Sequence, residues 1–238
     1  MSDLAGPSGR RLTLVIALFP GVTHLDFTGP HQVLCRAPNA DLVTASMGGA
    51  DIAAEGLTFT GLADLAAIER CDLLLVPGGA GVGEAMQDAA FLREIRRLGD
   101  GAAWVTSVCT GSLILAAAGF LTGRRAACHW AWRELLVPFG AIVDEGRVVR
   151  DGKLITGGGV TAGLDFAFTV LAELAGETYA QAVQLGLEYA PQPPFDAGRP
   201  ETAPPAVLEA YRAQIAPQAP ARRAAAEAAA RRLRPEPA

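Results

Sequence analysis

Apolar and polar positions alternate along this chain between short, dense hydrophobic runs and longer amphipathic stretches. Leu12 to Leu18 is β-branched and apolar and is cut off by Pro20-Gly21, which predicts a buried first strand. A helix is predicted to open near Asp26 and run to about Cys35. Leu42 to Met47 predicts a second strand, broken by Gly48-Gly49, with short β pieces over 51–60 and a short helix near 62–68. Leu73 to Val76 is apolar throughout and stops at Pro77-Gly78-Gly79. Phe91, Leu92, Ile95 and Leu98 fall on one face of a helix predicted over 85–98. Ala103 to Val108 then reads as a strand, Cys109 as the turn, and the Leu/Ala run to Ala118 as a helix stopped by Gly119. A short strand at 126–130, a helix at 130–137, a hairpin turned at Asp151-Gly152, and helices over 161–175 and 177–188 complete the pattern. Fully apolar strands alternating with helices predict an α/β fold whose mostly parallel sheet is covered on both faces.

Ligands of such sheets bind beyond the carboxyl ends of the strands. Asp26, Gly78-Gly79 and Cys109 all follow predicted strands, so three chemically interesting turns converge on one edge. Cys109 sits at a corner that pushes its thiol clear of the backbone and faces it toward a helix N-terminus, an arrangement that favours thiolate. The alternative is a small buried hydrophobe. Asp26 is either a helix cap or, facing Cys109, a proton carrier whose pKa burial raises. The backbone N–H groups of Thr110 and of Gly78 or Gly79 are candidates for an oxyanion-type hole. His129 beside Trp130 has two readings, a site residue or a structural hydrogen bond. His24 and His31 read as surface or packing residues, and Cys35, Cys71 and Cys128 as buried fillers. Asp165 reads as a structural anchor, and Arg124, Arg125 and the terminal arginines as a solvated face. Gly79 to Gly83 lacks the spacing of a dinucleotide or phosphate loop.

Composition narrows the classes. The 238 residues carry a formal net charge of −5, which argues against a general nucleic-acid binder. Four cysteines without a C-x-x-C pair argue against a disulfide framework or metal site, and a reducing cytoplasm is expected. The apolar run after Arg10-Arg11 is too short for a membrane span and lacks a leader's cleavage site, so no membrane association is expected. The expected organisation is a disordered leader over 1–10, an α/β domain over 11–190, and a proline-rich arm with a helical tail over 191–238. The arm is either a linker or an extension packed through Phe195. Residues 221–233 are helical by propensity but poor in large apolar residues, so that helix is expected to be solvent-exposed or a weak partner contact.

Three stretches carry a resemblance: Leu73 to Gly79, Val108-Cys109-Thr110-Gly111, and Gly157 to Asp165. Together they resemble the ThiJ/PfpI superfamily of glutamine-amidotransferase-like proteins. Leu25 to Pro30, Cys128-His129-Trp130 and Pro193 to Gly198 are similar to its isonitrile hydratase branch. The match spans about residues 11–200, with motifs in family order. The resemblance implies a flavodoxin-like three-layer sandwich, usually homodimeric, with a cysteine at a strained nucleophile elbow. It further implies Cys109 as nucleophile and Asp26 as acid/base. Thr110 and Gly79 are implied as donors, and Gly78 and His129 join the candidate substrate-binding residues. The implied reaction adds water to an isonitrile, without metal or cofactor, through a covalent thioimidate.

Departures narrow the family reading. Thr110 stands where protease-like members carry histidine, and Asp26 where glyoxalase- and repair-type members carry glutamate. Cys128 stands where threonine is common. AraC-type regulators share a similar N-terminal module, but residues 206–238 are too short for their helix-turn-helix domain. A stand-alone ligand or redox sensor is the competing class.

Overall fold

The computed structural model of the chain describes residues 9–233. Four central strands are buried on the strength of mostly apolar side chains, with Thr106, Ser107 and Thr156 buried among them. These are β1 (Leu12–Ala17), β6 (Leu73–Val76), β7 (Trp104–Val108) and β11 (Leu154–Gly157). With β2 (Ala40–Ser46), β5 (Ala63–Asp64) and β10 (Val148–Asp151) they form one seven-stranded sheet in the order β10-β11-β7-β6-β1-β2-β5. Every pairing is parallel except β10 with β11, the hairpin turned at Asp151-Gly152. Helices cover the sheet, giving the flavodoxin-like α/β sandwich. Among them are α1 (Leu25–Leu34), α2 (Val82–Ala85), α3 (Ala89–Gly101), α4 (Gly111–Ala117), α5 (Ala162–Ala175) and α6 (Glu177–Gly186). Two small sheets stand apart: β3 (Ile52–Ala54) with β4 (Leu57–Phe59), and β8 (Arg125–Ala126) with β9 (Ile142–Val143).

Several elements differ from the sequence reading, each for a local reason. The helix expected over 85–98 is two helices. The Asp88 carboxylate accepts from the N–H of Ala90 (2.9 Å) and of Phe91 (3.0 Å), ending α2 and capping α3, which runs on to Gly101. The short helix expected near 62–68 is a single 3-10 turn (Leu65–Ala67) preceded by the two-residue edge strand β5; Asp64 Oδ1 caps the turn by accepting from Ala66 N–H at 3.0 Å and also accepts from Gly48 N–H at 3.0 Å. The 130–137 segment is a 3-10 helix (Arg133–Phe139) containing Pro138, which lacks the N–H an α-helix would use. Of the leader expected over 1–10, residues 1–8 lie outside the described residues, while Arg10 is ion-paired to Asp72.

The tail departs most. Phe195 is 79 % exposed and does not anchor the arm; Ala197 to Ala203 instead share a cavity wall with Trp130. Two helices follow, α7 (Pro205–Ile215) and α8 (Ala219–Leu233). Helix α8 is not a solvated rod. Ala226, Ala229 and Ala230 are buried where it packs on α2, on α4 and on the 3-10 helix. The Gln87 side chain donates to Ala225 O (2.9 Å), and Arg232 donates to Met86 O (2.7 Å) and Gln87 Oε1 (2.6 Å). Small side chains let the helix approach closely, so it docks without the large apolar stripe that would mark it in the sequence.

Among the described residues no helix is long and apolar enough to cross a membrane. Docking of α8 has a direct check. Ala226→Asp places a charge in a fully buried position and is expected to lower stability by about 3 kcal/mol in urea unfolding. Ala224→Asp, on the exposed face of the same helix, is expected to change it by less than about 0.5 kcal/mol. Equal effects would mean the helix is not docked.

Candidate active site

Strand β7 ends at Val108 and α4 begins at Gly111, leaving two residues to turn the chain through the corner. Cys109 takes a left-handed conformation (φ 59°), uncommon for a residue with a side chain and a sign of a constrained site. Its N–H is held by two carbonyls, Gly157 O at 3.1 Å and Gly158 O at 2.8 Å. Thr110 is the N-cap of α4 and directs its backbone N–H toward the Cys109 sulfur.

The exit of β6 supplies the facing wall. Gly78 lies so close to the elbow that a Cβ there would stand 2.5 Å from Thr110 N and 2.9 Å from Asp26 Oδ2. Gly111 likewise has its hydrogen against Val76 O, where a Cβ would come within 2.1 Å. The loop before α1 is tied to the same exit by Thr23 N–H donating to Gly78 O (2.9 Å) and by a bridge between Val22 and Gly79. Asp26 is thereby swung inward and completely buried. It does not cap its own helix; Oδ2 accepts from Gly78 N–H at 2.9 Å, across the site.

These bonds correct one expectation. The N–H groups of Gly78 and Gly79 are not free to hold an oxyanion. Gly78 N–H serves Asp26, and Gly79 N–H serves Thr110 Oγ1 at 3.0 Å. Of the three candidate donors, only Thr110 N–H points at the reacting sulfur. The two glycines orient the carboxylate and the threonine hydroxyl, leaving the hydroxyl proton of Thr110 unassigned.

Burial also reverses the expected thiolate bias. The Cys109 thiol is pushed well above its ordinary pKa, first by burial and then by Asp26 and Cys128, against a smaller pull from Thr110 N–H. Helix α4 is too short and too deeply buried for its dipole to win. Asp26 is pushed up to about 7, again chiefly by burial and with Glu55 adding repulsion, while hydrogen bonds from Cys109 and Gly78 oppose the rise. Asp26 Oδ1 has no geometric hydrogen-bond partner among the described residues. The shared proton therefore rests on the thiol, and a carboxyl that titrates near neutrality is the group placed to accept it as the sulfur attacks.

The segment after β8 brings further residues to the elbow. Cys128 is buried beside Cys109, and its thiol is pushed up to about 12 by burial. His129 is stacked on Trp130 (5.9 Å between centroids), and its Nδ1 accepts from Ala131 N–H at 3.2 Å. Burial, then the charge of Arg222, holds His129 below its ordinary pKa and therefore neutral. Cys128 and His129 line a cavity of about 510 Å³ that also reaches Gly158 and the arm residues 198–202. His24, in contrast, faces Glu55 at the surface, and Asp165 is a structural anchor holding Arg147 and accepting from Tyr189 OH at 2.9 Å. Cys35 is exposed rather than a filler, and Cys71 is buried away from the site. Arg124 and Arg125 make surface ion pairs with Asp151 and Asp144, as a solvated face would.

Glu55, whose charge reaches Asp26, was missed in the sequence, and Arg222, expected with the terminal arginines on a solvated face, is instead half-buried over Trp132. Glu55 has a positive φ (51°) in the β3–β4 turn, and Arg222 comes from α8. Only the Glu55-Gly56 pair carried any turn signal. Among the described residues no group of three or more His, Cys, Asp or Glu could hold a metal ion.

Residues 12–173 match the DJ-1/PfpI family. The chain belongs to that family. Within it, the chain is 48 % identical to the isonitrile hydratase of Pseudomonas putida, over 93 % of this chain and 98 % of the relative. A ThiJ/PfpI family protein from Pseudomonas syringae superposes with a TM-score of 0.88 at 38 % identity, covering 94 % of this chain and 93 % of that structure. The HTH-type transcriptional regulator CdhR of Pseudomonas aeruginosa is 30 % identical, but the match covers 70 % of this chain and only 52 % of the regulator.

Raising the Asp26 pKa to about 7 ties family chemistry to stability. The folded state keeps this proton up to about pH 7, whereas the unfolded chain gives it up near pH ~4. Between those values the folded state binds more protons, so this group's contribution to stability falls as pH rises through the window. Asp26→Asn removes the effect. The melting temperature of the variant relative to the parent is expected to climb between pH 4 and pH 8, and a constant difference would refute the raised pKa.

Proposed function

We propose that this chain is an isonitrile hydratase, adding water to R–N≡C to give an N-substituted formamide. The observation that carries the reading is the buried pair of Cys109 thiol and Asp26 carboxyl, the latter titrating at about 7. The near full-length similarity to the P. putida enzyme supplies the substrate class.

In the proposed cycle the Asp26 carboxylate takes the Cys109 proton as the sulfur attacks the terminal isonitrile carbon. Asp26 returns that proton to the same carbon, leaving a thioimidate, R–N=CH–S–Cys109. Asp26 then accepts a proton from water as the water oxygen adds to the carbon, and passes that proton to the nitrogen, giving R–NH–CH(OH)–S–Cys109. Collapse breaks the C–S bond and releases R–NH–CHO, while the hydroxyl proton of the adduct travels through Asp26 to the departing sulfur and restores the Cys109 thiol and the Asp26 carboxylate. Thr110 N–H steadies the sulfur while it carries negative charge, and its hydroxyl, held by Gly79 N–H, is available to the water or the nitrogen. Gly78 keeps Asp26 aimed at the sulfur. His129, neutral and on the cavity wall, contacts the R group. The reading includes a homodimer acting in the cytoplasm without metal or cofactor, and a small-molecule isonitrile as the only ligand.

A thiolate-based peroxide sensor is the competing class, and the upward push on the Cys109 pKa counts against it.

Formamide release from simple alkyl and aryl isonitriles tests the proposal. Cys109→Ala is expected to lose about a thousandfold or more in kcat, and Asp26→Asn about a hundredfold. The kcat/KM of the parent is expected to rise with pH through about 7, because only the carboxylate form of Asp26 can accept the thiol proton. Absence of turnover across a varied panel with the thiol intact would refute the reading.

A further inference from the structure

Another cavity opens at the carboxyl edge of the sheet, beyond the ends of β1 and β2, where parallel sheets hold ligands. It has a volume of about 290 Å³ and lies between the residues after β1, the loop from β2 to β3, and the α2–α3 junction. None of Cys109, Asp26, Thr110, Gly78 or Gly79 lines it, so it is distinct from the site at the elbow. Gly81 does line it and donates its N–H to Gly21 O at 3.0 Å, which bonds the cavity wall to the loop that leads to Asp26.

The floor of this cavity is apolar. Leu18, Phe19, Ile52, Ala85 and Phe91 are buried, and the rings of Phe19 and Phe91 stand 5.8 Å apart between centroids at 56°. Protein interiors leave few voids larger than a water molecule, so buried apolar side chains around an open volume of this size form a ligand pocket. Its polar side chains are of one character. Asp51 and Glu84 are exposed and have neither an ion pair nor a side-chain hydrogen bond among the described residues. Asp88 is exposed too, with Oδ1 engaged by the N–H groups of Ala90 and Phe91. Ser46 is 1 % exposed; its hydroxyl proton goes to Ala50 O at 2.6 Å, and among the described residues nothing donates to its oxygen. No Lys, Arg, His, Asn, Gln, Tyr or Trp lines the cavity. An occupant therefore meets side-chain acceptors and no spare side-chain donor. A carboxylate or phosphate finds no partner there, whereas an ammonium group, with three N–H donors and a positive charge, is matched in both respects.

We propose that this cavity binds a small primary ammonium compound with a one-ring aromatic body, the ring lying on the Phe19–Phe91 floor and the ammonium meeting Asp51, Glu84 and the Ser46 oxygen. The aromatic floor favours a ring by packing and by edge-to-face contact, and the acidic mouth selects its charge. The inference goes beyond the reaction at Cys109 and does not depend on it.

Benzylamine, benzyl alcohol and phenylacetate share one ring and differ in charge, and an amide-resolved NMR titration of the full chain with each tests the proposal. Benzylamine is expected to shift the amides of Phe19, Ile52 and Gly81 and to bind about tenfold more tightly than benzyl alcohol, while phenylacetate leaves those amides unmoved. Asp51→Asn combined with Glu84→Gln, both at exposed positions, is expected to bring benzylamine to the affinity of benzyl alcohol without a change in melting temperature. Ala85→Leu, which puts bulk into the cavity, is expected to abolish binding of both. Equal affinity of the parent for amine and alcohol, or a preference that survives the double variant, would overturn the proposal. So would shifts confined to the Cys109 corner, or none with any of the three compounds.

Discussion

The two hydrogen bonds that pin the Cys109 N–H to the Gly157 and Gly158 carbonyls hold a left-handed residue at the one place where three strands end together. Strain of this kind survives only where the surroundings leave no alternative. Here β11 supplies the acceptors, and the β6 exit supplies a wall so close that neither Gly78 nor Gly111 has room for a side chain. The order of the sheet follows through into the chemistry: β7 lies between β6 and β11, so its last residue is clamped from both sides. Moving either neighbour would relax the corner and withdraw the thiol.

Asp26 depends on the same clamp. It lies on α1, beyond the end of β1, and is drawn to the elbow only because its loop is bonded to the β6 exit and its carboxylate to Gly78 N–H. Deep burial of a carboxyl beside a thiol is unfavourable for folding and lifts the pKa of both groups. A carboxyl raised to about 7 is basic enough to take the thiol proton and acidic enough to return it, so it can serve attack, addition and collapse.

Much of this architecture was legible in the sequence. A β-branched run stopped by a cysteine and small residues marks the Cys109 corner, an apolar run without polar alternation marks β6 as an interior strand, and the Asp151-Gly152 turn marks the β10–β11 hairpin. Asp26 was legible by its place after a strand. Other features depend on distances that no local pattern encodes. The N–H groups of Gly78 and Gly79 looked free because their acceptors, Asp26 and Thr110, are remote in sequence. The effect of burial on Cys109 outweighs a helix end that, seen alone, favours thiolate. Helix α8 was legible by propensity, but its docking was hidden because its contact face is alanine, whose burial leaves almost no trace in hydrophobic periodicity. Asp88 and Asp64 set where helical turns begin through side-chain bonds to backbone N–H groups, which moved boundaries that periodicity alone does not fix.

Docking of α8 onto α4 also joins the last described element to one that begins at residue 111. Synthesis proceeds from the N-terminus, so the sheet and the Cys109 corner can assemble while residues 219–233 are still within the ribosome. During that interval the cysteine would already lie beside Asp26 while the faces of α2 and α4 that α8 covers stay open. The helical cover therefore arrives after the sheet and the corner it protects.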